Sequence, residues 1–236
     1  MGNGEWLKQG TLDRSDLQTP LFTIPYSLFP IPGSNPMRLV LASSNQGKLA
    51  EMGALLDGLG IELVAQSAFG IADAKETGST FIENALLKAR HAAAASGLPA
   101  LGDDSGLCVD VLGGAPGLYS ARYAGAHGDA AANIAKLLAA LRDVPADART
   151  AHFHCSIVLL RSASDPAPLV AEGRWAGRIL DAPRGSNGFG YDPVFLDPAT
   201  GCSAAELDRA TKNRLSHRAQ ALAHLSRQLS ASSAHD

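Results

Sequence analysis

Apolar positions along the chain change their spacing several times, and the spacing predicts an alternation of short strands and helices. Residues 38–43 form a short run typical of a β-strand, and residues 61–64 predict a second strand. Between them, apolar residues recur at helical spacing over residues 46–56. The Thr-x-x-Glu capping box at residues 80–83 predicts the start of a helix that runs to about Ser96.

The second half of the chain continues this alternation. Asp129 is expected to cap a helix, and Ser216 is expected to cap the last helix of the chain. Residues 151–160 alternate between apolar and polar positions, which predicts a strand with one apolar face. Residues 169–180 predict the strand that pairs with it.

Two histidines, His152 and His154, share the polar face of the strand predicted at residues 151–160. Imidazoles two residues apart on a strand are able to ligate a metal ion. Because no further ligand stands at metal-binding spacing, a solvated or hydrogen-bonded strand face is the favoured interpretation.

Residues 1–36 differ in pattern from the rest of the chain. Residues 21–32 are apolar but contain prolines at short intervals, so neither a helix nor a central strand can pass through them. The segment lacks a basic region followed by a continuous apolar run, which argues against a secretory signal. We interpret residues 1–36 as an appended, poorly ordered arm, and a start codon placed too far upstream is one hypothesis for its origin.

Composition and charge narrow the class of protein. Hydrophobic residues make up 46% of the chain and charged residues 18%, which is typical of globular proteins. The formal net charge of −3 gives no basic footprint, so nucleic acid is not an expected partner. No apolar run approaches the roughly 18 residues of a membrane span. Cys108, Cys155 and Cys202 lie far apart and are odd in number, which indicates a reducing compartment and a cytoplasmic protein.

Two adjacent carboxylates, Asp103 and Asp104, stand among small residues after an apolar run. On extended backbone their side chains would point to opposite faces, whereas a turn at residues 105–106 would bring both toward one cleft. Paired carboxylates are natural Mg²⁺ ligands, and one of them could accept a proton from an attacking water. Taken alone, an ordinary Asp-Ser-Gly turn with solvated carboxylates is the favoured interpretation.

A second polar stretch, Ser-Ser-Asn-Gln-Gly-Lys at residues 43–48, lies between a predicted strand and a predicted helix. Free N–H groups at a helix start, with a lysine beside them, form an anion site suited to phosphate. An ordinary capped turn is the alternative. The spacing is not that of a P-loop, which argues against a nucleotide kinase.

Three further features suggest a ligand. Phe189 and Tyr191 stand between glycines, where rings could stack on a base, although the glycine spacing is not that of a dinucleotide-binding fingerprint. His217 and Arg218 open the last helix, where cations oppose the helix dipole. Lys88 is a solvated helix lysine unless its flank of the helix faces a cleft.

Six motifs of this chain resemble those of the inosine triphosphate pyrophosphatase family, hydrolases of deaminated purine nucleoside triphosphates. The motifs occur in the family's order and cover the chain from Met37 nearly to its end; they are residues 43–48, 80–85, 103–107, 113–123, 189–192 and 216–218. The arm at residues 1–36 has no counterpart in this resemblance.

The resemblance implies an elongated α/β fold, in which a mixed β-sheet with flanking helices forms two lobes around a central nucleotide cleft. Residues 37–236 would form this single two-lobed domain, which is usually a homodimer in the family. The implied reaction is Mg²⁺-dependent cleavage of inosine, deoxyinosine or xanthosine triphosphate to the monophosphate and pyrophosphate.

The resemblance also assigns roles to individual residues. Asp104 would be the general base and would form the Mg²⁺ site with Glu76 and Asp103, while Lys88 and Ser105 would contact the substrate. The expected phosphate-binding residues are Ser43, Ser44, Asn45, Gln46, Gly47 and Lys48. The expected nucleoside pocket consists of Phe189, Gly190, Tyr191, Asp192, Lys212, His217 and Arg218. Within that pocket, donors from His217, Arg218 or nearby backbone that face the 6-keto oxygen of the base would pair with it, whereas the amino group of adenine would leave them unpaired.

Two other classes of protein could use some of these residues. A nucleotide-binding sensor without turnover would share the phosphate site, but it gains nothing from adjacent carboxylates near an anion unless a metal ion intervenes. A hydrolase with Ser105 as nucleophile is disfavoured because the surrounding sequence is not the Gly-x-Ser-x-Gly elbow.

Overall fold

The computed structural model describes residues 37–56 and 61–233, so the arm interpreted at residues 1–36 lies outside the described residues. The strands are β1 (Met37–Leu41), β2 (Ile61–Ala65), β3 (Ala100–Val109), β4 (Thr150–Leu160), β5 (Leu169–Ile179), β6 (Phe195–Asp197) and β7 (Cys202–Ser203). The α-helices are α1 (Gln46–Leu56), α2 (Phe81–Ser96), α3 (Ala130–Ala140), α4 (Arg209–Leu215) and α5 (His217–Ser233). Among these residues, no helix is long and apolar enough to cross a membrane.

The described strands form one mixed sheet in the order β2-β1-β3-β4-β5-β6-β7. Strand β1 pairs in parallel with both β2 and β3, and every later pairing in the sheet is antiparallel. Helix α2 packs on one face of the central strands and α5 packs on the other. The α/β fold with a mixed sheet and flanking helices, which the family resemblance implies, is confirmed.

Two large hydrophobic clusters lie toward opposite ends of β3. Leu101 belongs to the cluster formed with helices α1 and α5, and Leu107 belongs to the cluster that includes Trp175 and Phe195. Alternate residues of a strand share one face, so Asp103 and Ser105 lie between the two clusters on that face. The sheet therefore carries a polar strip between two apolar regions.

Helix starts follow the sequence closely. The capping box of α2 is present, since Thr80 Oγ1 accepts a hydrogen bond from Glu83 N at 3.2 Å and Glu83 Oε2 accepts one from Thr80 N at 3.0 Å. Asp129 caps α3, and Ser216 Oγ accepts a hydrogen bond from Ala219 N at 3.2 Å. Helix α4, which Asp208 caps, was not predicted because it is short and its apolar positions show no helical spacing.

The turn considered at residues 105–106 is wrong, because β3 continues through it and pairs Asp104 with Ser156 of β4. Gly102 and Gly106 do not form a turn; they allow close packing against the strand. A Cβ atom on Gly102 would lie 2.0 Å from the carbonyl oxygen of Ala85, and a Cβ on Gly106 would lie 2.4 Å from that of Gly117. Each glycine therefore allows neighbouring backbone to approach the sheet.

Candidate active site

Strand β3 presents its two adjacent aspartates to opposite faces of the sheet. Asp104 faces helix α2, where its carboxylate accepts a hydrogen bond from Lys88 Nζ at 2.7 Å. Asp103 faces helices α1 and α5, where it pairs with Lys48 and Arg218. The same strand therefore contributes one carboxylate to each of two separate groups of polar side chains.

The group on the α2 face contains two carboxylates that share one ammonium. Lys88 Nζ lies 3.0 Å from Glu76 Oε1 and 2.7 Å from Asp104 Oδ1, and Arg122 Nη1 lies 3.1 Å from Glu76 Oε2. Asn84 Nδ2 donates to the second oxygen of Asp104 at 3.3 Å. Lys88 therefore lies between these two carboxylates and is not a solvated helix lysine.

The two carboxylates of this group differ in proton affinity. Burial raises the pKa of Asp104 above its usual value, although Lys88 opposes the shift. Burial also acts on Glu76, but the attraction of Lys88 and Arg122 outweighs it and lowers the pKa of Glu76. Asp104 is therefore the carboxylate of the two with the higher proton affinity, which suits it to accept a proton.

The group on the opposite face is centred on Asp103, whose side chain is fully buried. Its oxygens pair with the ammonium of Lys48 and accept from Arg218 Nε at 3.2 Å, Cys155 Sγ at 3.0 Å and Ser105 Oγ at 3.3 Å. Burial opposes ionisation, but Lys48 and Arg218 hold the pKa of Asp103 well below its usual range. Asp103 is thus held in its ionised form between two cations.

Residues 43–48 form the start of α1 and are held by their own side chains. Asn45 Oδ1 accepts from Lys48 N at 3.2 Å, and Ser43 Oγ accepts from Asn45 N at 3.1 Å. Ser44 Oγ donates to Asp73 at 2.8 Å, which ties this turn to the segment that carries Glu76. Residues 43–48, the phosphate-type turn, are therefore an exposed turn that presents a helix N-terminus, and the side chain of Lys48 lies beside it.

Phe189 is 41% exposed, and its ring lies close to this turn. A Cβ atom on Gly47 would lie 3.3 Å from the ring, and Lys212 Nζ lies 5.1 Å from the ring centroid. Asp192 accepts from Phe189 N at 2.8 Å and from Lys212 Nζ at 2.7 Å. These contacts hold an aromatic face beside the phosphate-type turn.

Tyr191 does not present its ring beside Phe189. It is buried in the hydrophobic cluster with Trp175 and Phe195, and its hydroxyl donates to the carbonyl oxygen of Ser120 at 2.9 Å. Stacking on a ligand, which the sequence suggested for both rings, is thus open to Phe189 alone of the two.

Arg218 and His217 at the start of α5 are both buried, and they have different partners. Arg218 bonds Asp103, Ser105 Oγ at 3.1 Å and Glu51. His217 stacks on Phe153 with ring centroids 4.9 Å apart, and its Nδ1 has no hydrogen-bond partner among the described residues. Burial, reinforced by Arg218, lowers the pKa of His217 well below its usual range, so its imidazole is neutral.

Glu51 is a site residue that the sequence did not single out. It accepts from Lys212 Nζ at 3.2 Å and pairs with Arg218, and so it connects two cations of the predicted nucleoside pocket. Its spacing of three residues from Lys48 on α1 was the available signal, because such residues share a helix face. Arg122 was likewise missed as the partner of Glu76.

The residues present fit a Mg²⁺ ion in part. Glu76 and Asp104 both contact the ammonium of Lys88 and so lie close together, and Mg²⁺ commonly binds one or two carboxylates together with substrate phosphates. Asp103, expected as a third ligand, lies on the other face of β3. Within residues 37–56 and 61–233, no group of three or more His, Cys, Asp or Glu side chains could hold a metal ion.

The strand histidines have other partners. His152 Nδ1 lies 3.1 Å from Arg174 Nη2, and His154 Nε2 lies 3.1 Å from Glu172 Oε1. The hydrogen-bonded strand face favoured from the sequence is confirmed.

The fold and these side chains define a class of α/β protein that combines a phosphate-type helix start with a carboxylate pair and an exposed aromatic ring. Comparison with known proteins identifies the family. The model of the Ham1 family matches residues 39–228. The chain is 63% identical over 193 residues to a dITP/XTP pyrophosphatase of Xanthomonas campestris, covering 82% of this chain and 97% of that protein. It is 57% identical over 188 residues to a dITP/XTP pyrophosphatase of Vibrio cholerae, covering 80% and 94%.

Solved structures agree with this identification. A HAM1 protein from Coxiella burnetii has a TM-score of 0.77 and 52% identity, over 83% of this chain and 99% of that one. The Ham1 protein of Staphylococcus aureus has a TM-score of 0.73 and 40% identity, over 82% and 98%. The chain therefore belongs to the Ham1 family, and the resemblance expected from its six motifs is confirmed.

Proposed function

We propose that this protein hydrolyses deaminated purine nucleoside triphosphates, namely those of inosine, deoxyinosine and xanthosine, to the monophosphate and pyrophosphate. The proposal is supported by relatives at 56–63% identity that are named dITP/XTP pyrophosphatases. The single structural observation that carries it is the carboxylate of Asp104, whose pKa is raised and which lies beside Glu76 and Lys88.

The proposed reaction breaks the bond between the α- and β-phosphates and adds water across it. Asp104 accepts a proton from the attacking water, a role that suits a partly desolvated carboxylate with a raised pKa. Lys88 orients Asp104 and supplies positive charge toward the phosphates. Glu76 and Asp104 would hold a Mg²⁺ ion, which would supply positive charge to neutralise the phosphates.

The triphosphate is bound by the turn at residues 43–48 and by Lys48. Backbone N–H groups of the α1 start face the anion, and the helix dipole favours negative charge there. Asp103 holds Lys48 in place, since the two groups form a buried ion pair. In this proposal Asp103 supports Lys48 instead of binding the metal.

The base lies against Phe189, and hydrogen-bond donors near it read the 6-keto oxygen. Adenine carries an amino donor at that position, so a donor from the protein would face another donor and remain unpaired. Lys212, His217 and Arg218 are the available donors, and Asp192 with Glu51 fixes the orientation of two of them. Sites built around a hydrogen bond of the substrate reject analogues that lack it.

The test is turnover of inosine triphosphate with Mg²⁺, with separate detection of pyrophosphate and orthophosphate. We expect pyrophosphate from inosine triphosphate and little from adenosine triphosphate. Asp104→Asn should abolish this turnover without unfolding the protein, because an amide accepts no proton and ligates Mg²⁺ poorly. Asp110→Asn is the matched control, since Asp110 is an exposed aspartate that accepts from Thr150 Oγ1 at 2.7 Å. Binding of inosine triphosphate without pyrophosphate release would favour a sensor, and wild-type turnover in Asp104→Asn would remove Asp104 from the chemistry.

We also propose a cytoplasmic homodimer. One face of β5 carries four exposed residues in alternation, Glu172, Arg174, Ala176 and Arg178. Opposite charges two residues apart allow a second copy to pair with the same surface. Light scattering that gives the mass of one chain would contradict the dimer.

A further inference from the structure

One side chain of helix α2 bonds both parts of the carboxylate group. Asn84 is 2% exposed and lies in the first turn of the helix. Its Oδ1 accepts a hydrogen bond from Gly78 N at 2.8 Å, and its Nδ2 donates to Asp104 Oδ2 at 3.3 Å. The capping bonds of the helix are made by Thr80 and Glu83, so Asn84 is free of that task.

The two oxygens of the Asp104 carboxylate accept hydrogen bonds from two different donors. Oδ1 accepts from Lys88 Nζ, and Oδ2 accepts from Asn84 Nδ2. Residues 84 and 88 are four apart, so the two donors lie on one face of one rigid helix. Two donors on separate oxygens fix the rotation of a carboxylate, and an amide N–H favours its ionised form.

The bond to Gly78 positions the other carboxylate. Gly78 lies two residues after Glu76, and a Cβ atom on Gly78 would lie 2.8 Å from Asn84 Oδ1. The amide of Asn84 therefore sits between the segment that carries Glu76 and the strand that carries Asp104. Its two bonds set the spacing of the pair.

We propose that Asn84 is a positioning residue for Asp104 in the hydrolysis proposed above, on which this inference rests. Partners that orient the groups of a catalytic site typically contribute about 10- to 100-fold in activity. Asn84 does not touch the phosphate-type turn or Phe189. Its loss should therefore lower kcat by at least about 10-fold and leave nucleotide affinity nearly unchanged.

The sharpest variant is Asn84→Asp. An aspartate keeps the acceptor for Gly78 N and the shape of the side chain, but it removes the donor to Asp104 and places a second negative charge beside it. Asn84→Ala removes both bonds. Each variant is assayed for kcat and KM on inosine triphosphate with Mg²⁺. Its affinity for the non-hydrolysable α,β-imido analogue of inosine triphosphate is measured by calorimetry.

The chain offers a matched control in Asn133. It occupies the same position in the first turn of α3, is 3% exposed, accepts from Ala124 N at 2.6 Å and donates to the carbonyl oxygen of Ala121 at 3.3 Å. Asn133→Ala thus removes an equally buried amide with the same number of bonds. We expect it to lower the melting temperature as Asn84→Ala does, with kcat near the wild-type value.

The expected result is a kcat loss of at least about 10-fold in both Asn84 variants, with analogue affinity within about threefold of wild type. If Asn84→Asp keeps wild-type kcat while Asn84→Ala loses it, the bond to Gly78 alone matters and the proposal is overturned. Equal losses in Asn133→Ala would assign the effect to stability and would also overturn it. A wild-type protein that releases no pyrophosphate would instead refute the proposed function itself.

Discussion

At the scale of single residues, the two adjacent aspartates show how position on a strand decides chemistry. Asp103 has two cations and no exposed surface, and its pKa is held well below its usual range. Asp104 has one ammonium and some access to solvent, and burial raises its pKa. A carboxylate with a lowered pKa holds neighbouring cations in place, whereas one with a raised pKa is better able to accept a proton. Identical side chains therefore take different tasks.

Lys48→Ala should raise KM and lower kcat together. Its ammonium lies beside the phosphate-type turn, and a cation on the departing pyrophosphate gains contact as charge builds there. The variant also leaves Asp103 with Arg218 as its remaining cation, so the melting temperature must be measured alongside the steady-state kinetics. Unchanged kcat and KM in a folded Lys48→Ala protein would reduce residues 43–48 to an ordinary capped turn.

Phe189→Ala should weaken the binding of inosine triphosphate and of adenosine triphosphate to the same extent. Stacking on an aromatic ring adds affinity for any base, because every base has a π-face. The exposed ring makes a large loss of stability unexpected, so KM values for both substrates are a direct measure. A loss confined to inosine triphosphate would mean that the ring also takes part in base selection.

Much of the site could be predicted from residue types and spacing, and the rest depends on distant packing. Lys48 and Asp104 stand in local patterns typical of phosphate and metal chemistry. Glu51, Arg122 and Asn84 look like ordinary polar helix or loop residues until the fold brings their partners to them. Arg218, for example, lies 167 residues from Glu51 along the chain.

At the scale of elements, helices with local start signals were predicted best. Helices α1 and α2 begin and end near the predicted positions, because caps and apolar spacing are encoded within a few residues. Strand β3 was less predictable at its centre, where glycines resemble turn signals. Gly102 and Gly106 are needed for close contact with α2 and with residues 117–120, which are distant in sequence.

The connection between β4 and β5 should contribute pH-dependent stability. Asp165 accepts from Arg161 Nε and Nη2, both at 2.8 Å, and from the backbone N–H of Ala167 at 3.0 Å. These bonds hold the pKa of Asp165 below its usual value, so their stabilisation is present above about pH 4 and is lost as the pH falls further. The difference in urea unfolding between wild type and Asp165→Asn should be constant near pH 7 and should shrink steadily as the pH falls below about 4. A difference independent of pH would contradict this.

At the scale of the whole molecule, the described sheet and helices cover nearly all of the residues that match the Ham1 family model. The match begins at residue 39, and β1 begins at Met37. Deleting residues 1–36 should therefore leave the melting temperature and kcat/KM nearly unchanged, as terminal segments broken by prolines seldom contribute to a core. Calorimetry and steady-state assays of the full and shortened chains measure both. A clear loss of stability would show that the arm packs against the domain.

The opposed aspartates of β3 also predict where the chain tolerates added or missing residues. A single insertion ahead of Asp103 would shift the strand by one position and exchange the two carboxylates between the faces of the sheet. Asp103 would then take the place of Asp104 beside Lys88, and Asp104 would face Lys48 and Arg218 from one position further along the strand, so the ion pairs of both polar groups would lose their present geometry. The exposed loop at residues 124–128, which lies shortly before α3, has no such alternation of faces to keep. In a scan of single-residue insertions, the centre of β3 should be among the least tolerant positions, for reasons of register as much as of packing.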